Sequence, residues 1–70
     1  MTTNIEKRIE AEMRYYTKRG LTVEQLADKY YVYKNKLVEA VMEGVDTEEQ
    51  YVKKEATRRL LLEKGVNYGK

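Results

Sequence analysis

The stretch from Thr22 to Val41 reads TVEQLADKYYVYKNKLVEAV and decides the fold. Thr22 and Gln25 have the spacing of a capping box, in which the threonine oxygen accepts from a backbone N–H of the first helical turn while the later side chain reaches back to the cap residue. A helix is therefore predicted to begin at residue 23. We predict a short helix over 23–30 and a second over 34–43, joined by a turn of a few residues, which is the sequence form of a helix-turn-helix.

The same signals recur on both sides of this stretch. The chain has no Pro, and glycines at 20, 44 and 65 stand where helices are expected to stop, because glycine enters the left-handed conformation without a Cβ clash. Thr3 with Glu6 and Thr47 with Gln50 repeat the capping-box spacing. The predicted fold is an all-α, small three- to four-helix domain spanning 1–70 with a central helix-turn-helix, its helices at about 4–19, 23–30, 34–43 and 48–64 and a frayed tail at 66–70.

Apolar periodicity predicts which faces form the core. At 100° per residue, about the turn of an α-helix, the first helix carries one narrow apolar stripe. The last helix carries two stripes, with Leu61 pointing elsewhere, so its apolar surface is wider than one small core needs. Two interpretations stay open: a homodimer contact on this helix, or a bundle that buries both stripes internally. The stripes are Ile5, Ile9, Met13 and Tyr16 in the first helix, and Val52, Ala56 and Leu60 beside Tyr51 and Leu62 in the last.

Composition excludes most catalytic chemistry. The chain contains no His, no Cys and no Ser, so the usual nucleophile and base pairs of acyl transfer are missing. A domain of this size also encloses few clefts that shift carboxylate pKa values. We therefore expect a protein that is not an enzyme and uses no metal or cofactor. The sequence shows no signal peptide and no membrane span, which makes a cytoplasmic protein the expectation.

Residues 22–41 resemble the DNA-binding helix-turn-helix superfamily. Leu26-Ala27 matches the family's apolar residue followed by a small one, and Tyr30, Val32, Leu37 and Ala40-Val41 match its remaining apolar sites. The match departs at the turn, where the family has Gly and a Ser or Thr cap and this chain has Tyr31 and Tyr33. About 20 of 70 residues are covered, and hairpins in plain helical bundles match the same pattern.

The resemblance implies that residues 34–43 are a recognition helix whose first residues enter the major groove. Lysine donates to guanine edges or phosphates, and asparagine binds adenine through two hydrogen bonds. Tyr33 would donate to a phosphate, and Glu39 would either accept from cytosine or repel the duplex. The groove contacts implied are Lys34, Asn35 and Lys36, with phosphate contacts from Arg14, Lys18, Arg19, Lys53, Lys54, Arg58 and Arg59. For the turn and helix start, simple solvation explains the same residues equally well.

Charge and aromatic usage keep two functions open. Residues 21–50 carry three basic and seven acidic groups, which argues against a DNA-reading surface, whereas the segments on either side are basic. Seven tyrosines, with no Phe or Trp, suit half-buried sites, and we expect Tyr16 and Tyr30 in the core. The first hypothesis is a DNA-binding transcriptional or phage-type regulator that binds double-stranded DNA. The second is a protein-interaction module, for example a phage-encoded inhibitor of a host protein.

Overall fold

A computed structural model of the protein describes residues 4–66 as three α-helices joined by short turns. The helices are α1 (Asn4–Arg19), α2 (Val23–Glu43) and α3 (Glu48–Glu63), and residues 4–66 contain no strand. This all-α domain confirms the predicted fold class, and α1 has the bounds expected from the sequence. The predicted tail at 66–70 lies outside the described residues except for Val66, which packs against the core.

The predicted turn at residues 31–33 is wrong, because α2 runs without interruption through it. Tyr31, Val32 and Tyr33 are all helical, and the described residues include no non-glycine residue with positive φ. No Gly or Pro lies between residues 21 and 43, so nothing in the backbone breaks the hydrogen-bond ladder there. The segments 23–30 and 34–43 are therefore halves of one 21-residue helix, and no central helix-turn-helix exists at this point.

Helix starts agree with the capping prediction at one site and disagree at another. The backbone N–H of Gln25 donates to Thr22 Oγ1 at 3.2 Å, and the Thr22 N–H donates to Gln25 Oε1 at 3.0 Å, which completes the capping box of α2. Thr47 makes no such hydrogen bond. The Asp46 carboxylate accepts from the Glu48 N–H at 3.0 Å instead, so the predicted box at Thr47 is wrong. The predicted box at Thr3 lies outside the described residues.

The end of α2 follows the glycine rule. Gly44 has φ 74°, and the backbone N–H of Val45 donates to the Ala40 carbonyl at 3.1 Å. This is the Schellman arrangement, which satisfies carbonyls that the last helical turn leaves without partners. Gly20 and Gly65, predicted as stops for the flanking helices, also have positive φ.

The third helix is the centre of the domain. It packs against both α1 and α2, whereas the backbones of α1 and α2 do not approach each other within the described residues. Residues on more than one side of α3 are consequently buried, among them Leu61, which the stripes left unassigned. Tyr51 and Leu62 stay 37% and 40% exposed, so the second predicted stripe is not internal. The buried cluster is Ile9, Tyr16, Leu26, Tyr30, Val52, Ala56, Leu60 and Leu61, which includes the two tyrosines expected there.

The outer side of α2 differs from what the family pattern implied. Val32 and Val41, assigned to inner apolar sites, are 47% and 64% exposed. A continuous helix explains this, because its inner side turns toward α3 at Leu26, Tyr30 and Ala40, which are buried. Among the helices described, none is long and apolar enough to cross a membrane.

Candidate functional site

A cleft of about 260 Å³ is lined by side chains from all three helices. Its walls combine three tyrosine rings with three cationic side chains and one carboxylate. Because side chains three and four residues apart on a helix are neighbours, each helix contributes its part of the wall from one face. The lining residues are Glu12, Tyr15, Tyr16 and Arg19 from α1, Leu21 from the turn, Lys29 and Tyr33 from α2, and Lys53 from α3.

Each cation of the cleft lies against a tyrosine ring. The Arg19 guanidinium is 5.6 Å from the centre of the Tyr15 ring and donates to the Tyr15 hydroxyl at 2.8 Å. The Lys29 ammonium is 5.6 Å from the Tyr16 ring centre. These contacts hold the cations over flat aromatic surfaces, where the ring quadrupole attracts positive charge.

Tyr33 is approached from two helices. The ammonium of Lys53 lies 5.4 Å from its ring centre, and that of Lys36 lies 5.8 Å from it. Lys53 also forms an ion pair with Glu49 at 3.4 Å. Burial lowers the pKa of Lys53, but Tyr33, Glu49 and Glu12 together raise it above its ordinary value, so this lysine stays charged at neutral pH. The Tyr33 ring is therefore contacted by one lysine of α2 and one lysine of α3 at the edge of the cleft.

Glu12 and Tyr16 form the polar floor of the site. Burial raises the pKa of the Tyr16 hydroxyl, and its hydrogen bond to the Glu12 carboxylate raises it further. The hydroxyl thus stays protonated and acts as a donor to Glu12. Counting Arg19, Lys29, Lys36 and Lys53 against Glu12 and Glu49, the cleft and its rim carry a net charge of four minus two, or +2.

The residues expected to read DNA are spread around α2. Lys34, Asn35 and Lys36 lie inside a continuous helix, so successive side chains point about 100° apart and do not share one surface. Lys36 faces Tyr33 at the cleft, whereas the Lys34 ammonium is 6.0 Å from the Tyr30 ring centre. Asn35 and Glu39 are exposed. The resemblance implied a recognition helix that begins at residue 34 and contacts DNA through its first turn. In the structure these residues lie in the middle of α2 and point to different sides of it.

Besides Lys53, two more of the expected phosphate contacts are engaged in ion pairs. Arg58 hydrogen-bonds the carboxylate of Glu55, and Arg59 donates to both carboxylate oxygens of Glu6 at 2.9 and 3.0 Å. Arg59 also lies 3.4 Å from Glu55, which is 7% exposed. Arg59 thus links α3 to α1, whereas the pair of Arg58 with Glu55 lies within α3.

The remaining basic residues divide between the cleft and other surfaces. Arg19 and Lys53 join Tyr33 in the cleft, as described. Arg14 and Lys18 line a separate open groove of about 470 Å³ between α1 and α3, beside Glu10 and Glu63. Lys54 lies 5.6 Å from the centre of the exposed Tyr51 ring. The predicted residues that the fold brings together are thus Arg19, Tyr33, Lys36 and Lys53.

Comparison of the chain with models of protein families, with curated proteins and with solved structures found no match. The chain folds as a small three-helix all-α domain over the residues described.

Sequence reasoning missed Glu12, Tyr15 and Lys29 as members of the site, and it placed Tyr16 in the core. A signal for them exists, because residues 12, 15, 16 and 19 follow the i, i+3, i+4, i+7 spacing of one helix face. The pair at 29 and 33 has the same spacing on α2, provided that α2 is read as one helix. The predicted turn hid this pair.

Proposed function

We propose that this protein binds nucleic acid through the tyrosine and lysine cleft, and that it acts as a small DNA-binding regulator without a helix-turn-helix. The observation that carries the proposal is the set of cation and tyrosine contacts between 5.4 and 5.8 Å that surround Tyr15, Tyr16 and Tyr33. Interleaved cations and the accessible rings of Tyr15 and Tyr33 suit a polymer that presents flat bases and phosphates in alternation, whereas Tyr16 is buried beneath them.

The chemistry of the cleft favours unpaired bases over an intact duplex. A base enters a narrow cleft only when it is not stacked inside a helix, and stacking on tyrosine is tolerant of sequence. The exposed side of α2 offers little to a major groove, because Val38, Val41 and Met42 are apolar and Glu39 and Glu43 are acidic. We therefore propose single-stranded DNA as the preferred ligand, with weaker binding to double-stranded DNA through phosphates alone.

The first experiment is a fluorescence-anisotropy titration with labelled single-stranded and duplex oligonucleotides. We expect tighter binding to the single strand. If three or four phosphates are neutralised, affinity should fall roughly 20- to 50-fold between ~50 and ~200 mM salt. No binding of either oligonucleotide at the lower salt concentration would refute the proposal.

The chain provides a matched pair of tyrosine and lysine contacts for the control. Tyr33 with Lys53 lies in the cleft, whereas Tyr51 with Lys54 has similar geometry outside it. We expect Tyr33→Ala and Lys53→Ala each to weaken single-strand binding about tenfold, the cost of losing one stacked base or one phosphate contact. Tyr51→Ala and Lys54→Ala should leave affinity within about twofold, and equal losses in both pairs would remove the cleft from the site.

A second candidate function is a protein-interaction module, such as an inhibitor that binds a host protein. The exposed apolar side of α2 favours it, because Val38, Val41 and Met42 are 53%, 64% and 80% exposed. Capture of a defined host protein by wild type, lost in Met42→Lys and retained in Tyr33→Ala, would support this function over nucleic-acid binding.

A further inference from the structure

The outer side of α2 carries an apolar strip whose side chains are about half or more exposed. We define the strip as Tyr31, Val38 and Met42, which are 49%, 53% and 80% exposed. In a continuous helix Tyr31, Val38 and Met42 lie within about 40° of one another. The strip points away from α3, since Leu26 and Ala40, which are buried, lie roughly 120–180° around the helix from Tyr31, Val38 and Met42.

The strip has the spacing of a two-stranded coiled-coil seam. Tyr31 and Val38 are seven residues apart, and so are Asn35 and Met42, which places the first pair at d positions and the second pair at a positions of one heptad frame. Asn35 is the polar a residue within the span of the strip, and an Asn at an a position is compatible with two parallel strands because the two amides face each other and fix the register. Asn35 is exposed on the monomer. The preceding a residue of α2, Asp28, lies outside the strip.

Charges flank the seam in a complementary way. In the same frame Lys34 is a g position and Glu39 is the e position five residues later. In a parallel pair of helices a g residue faces the e residue of the following heptad on the partner. Lys34 of each copy would thus lie opposite the partner's Glu39. Because the pair is two-fold symmetric, this contact would occur twice, once on each side of the seam. An antiparallel pair would not bring these two residues together.

We infer that the occupant of this strip is a second copy of the chain, paired in parallel through α2. The inference is independent of nucleic-acid binding, because the cleft at Tyr33 lies on the other side of α2. Two heptads of seam bury on the order of 1,000 Å² in total, slightly below the size of stable specific interfaces. The homodimer is therefore weak and reversible.

Sedimentation equilibrium over ~10 µM to ~1 mM protein measures this association. Wild type should approach the dimer mass at the upper end of the range. Met42→Lys should stay monomeric and keep its helical circular dichroism, because the Met42 side chain is 80% exposed and contributes little to the monomer core. Leu62→Lys is the matched control on α3, at a residue 40% exposed and outside the strip, and it should dimerise as wild type does.

A charge exchange tests the register. Lys34→Glu and Glu39→Lys should each weaken the dimer by about threefold to tenfold, because each puts like charges opposite each other on both sides of the seam. The double variant Lys34→Glu with Glu39→Lys should recover wild-type association. Single variants that weaken the dimer without recovery in the double variant would overturn the parallel register.

Disulfide trapping tests the direction of the helices in a chain that has no Cys of its own. In a parallel pair identical a residues face each other at disulfide distance, so Asn35→Cys and Met42→Cys should each cross-link under a mild oxidant. An antiparallel pair would cross-link at one of the two positions at most and would overturn the inference. Two other results would overturn the inference. One is a wild-type chain that stays monomeric at ~1 mM, which would assign the strip to a different protein partner. The other is a dimer that Leu62→Lys abolishes and Met42→Lys does not.

Discussion

Glu55 shows how one buried residue organises the charged surface of α3. Its carboxylate is hydrogen-bonded by Arg58 and lies 3.4 Å from Arg59, which in turn binds Glu6 of α1. The hydrogen bond from Arg58 lowers the pKa of Glu55 more than burial raises it, and Arg59 holds the pKa of Glu6 below its usual value. A carboxylate that is 7% exposed is tolerated here because two guanidinium groups compensate for its lost hydration.

The first prediction concerns the pH dependence that follows from Glu55. A carboxyl whose pKa is lower in the folded than in the unfolded chain binds fewer protons when folded, so its contribution to stability is present above about pH 5 and is lost as the pH falls through the lowered pKa. Glu55→Gln should cost about 1–2 kcal/mol in free energy of unfolding at pH 7 and reduce the loss of stability on acidification. Urea unfolding at pH 7 and at pH ~3.5 measures both.

The control is Glu63→Gln, which removes an exposed carboxylate from the same helix. It should change the free energy of unfolding by less than about 0.5 kcal/mol at pH 7. A Glu55→Gln variant as stable as this control at pH 7 would show that the network contributes nothing to folding.

At the scale of the element, α2 is the main surprise. The family pattern favoured a break at residues 31–33 because it requires a turn there, but the local residues do not supply one. Tyr, Val and Tyr have modest helix propensity and none of them adopts positive φ at low cost. Packing of the inner side of α2 along α3 then stabilises the whole helix.

The second prediction distinguishes a continuous helix from a turn. Val32 lies at the middle of the supposed turn and is 47% exposed. In a helix interior Val32→Gly should be less stable than Val32→Ala by about 1 kcal/mol, which is about 4–8 °C in Tm for a domain of this size. In a turn that needs positive φ the glycine variant would be the more stable of the two. Thermal unfolding followed by circular dichroism measures the order.

The third prediction uses the two threonines that precede helices. Thr22 accepts a hydrogen bond from the Gln25 N–H, and Thr47 caps nothing with its side chain. Thr22→Ala should therefore lower the free energy of unfolding by about 1 kcal/mol. Thr47→Ala should lose no more than about 0.3 kcal/mol, and Asp46→Ala should lose more than Thr47→Ala because Asp46 accepts from Glu48. Equal costs for the two threonines would contradict the assignment of caps.

Signals carried by adjacent residues were readable from the sequence, and those that depend on helix packing were not. The glycine stop at Gly44 and the cap at Thr22 depend on local backbone chemistry, so both could be predicted. The cleft brings together Arg19, Lys29 and Lys53, which come from three different helices. They lie close to one another only because α1 and α2 both pack against α3. A resemblance confined to residues 22–41 had no means of bringing Lys53 to Tyr33.

At the scale of the whole molecule, one helix carries most of the packing. Because α1 and α2 have no close backbone contact within residues 4–66, the bundle depends on the core residues of α3. A domain of this size buries only about 60% of the surface that its unfolded chain exposes and has a small margin of stability. Loss of packing at α3 should therefore unfold the protein as a unit rather than detach one helix.

The last prediction tests this dependence with two adjacent leucines. Leu61 is fully buried between the helices, and Leu62 is 40% exposed. Leu61→Ala should cost about 2–5 kcal/mol, since it removes transfer energy and leaves a cavity, and a cost at the upper end would leave the chain largely unfolded at 25 °C. Leu62→Ala should cost less than about 1 kcal/mol. Urea unfolding followed by far-ultraviolet circular dichroism compares the midpoints of the two variants. We expect each variant to lose its whole helical signal in a single transition. A transition in two steps, in which part of the helical signal of Leu61→Ala survives after the rest is lost, would show that the domain does not fold as one cooperative unit.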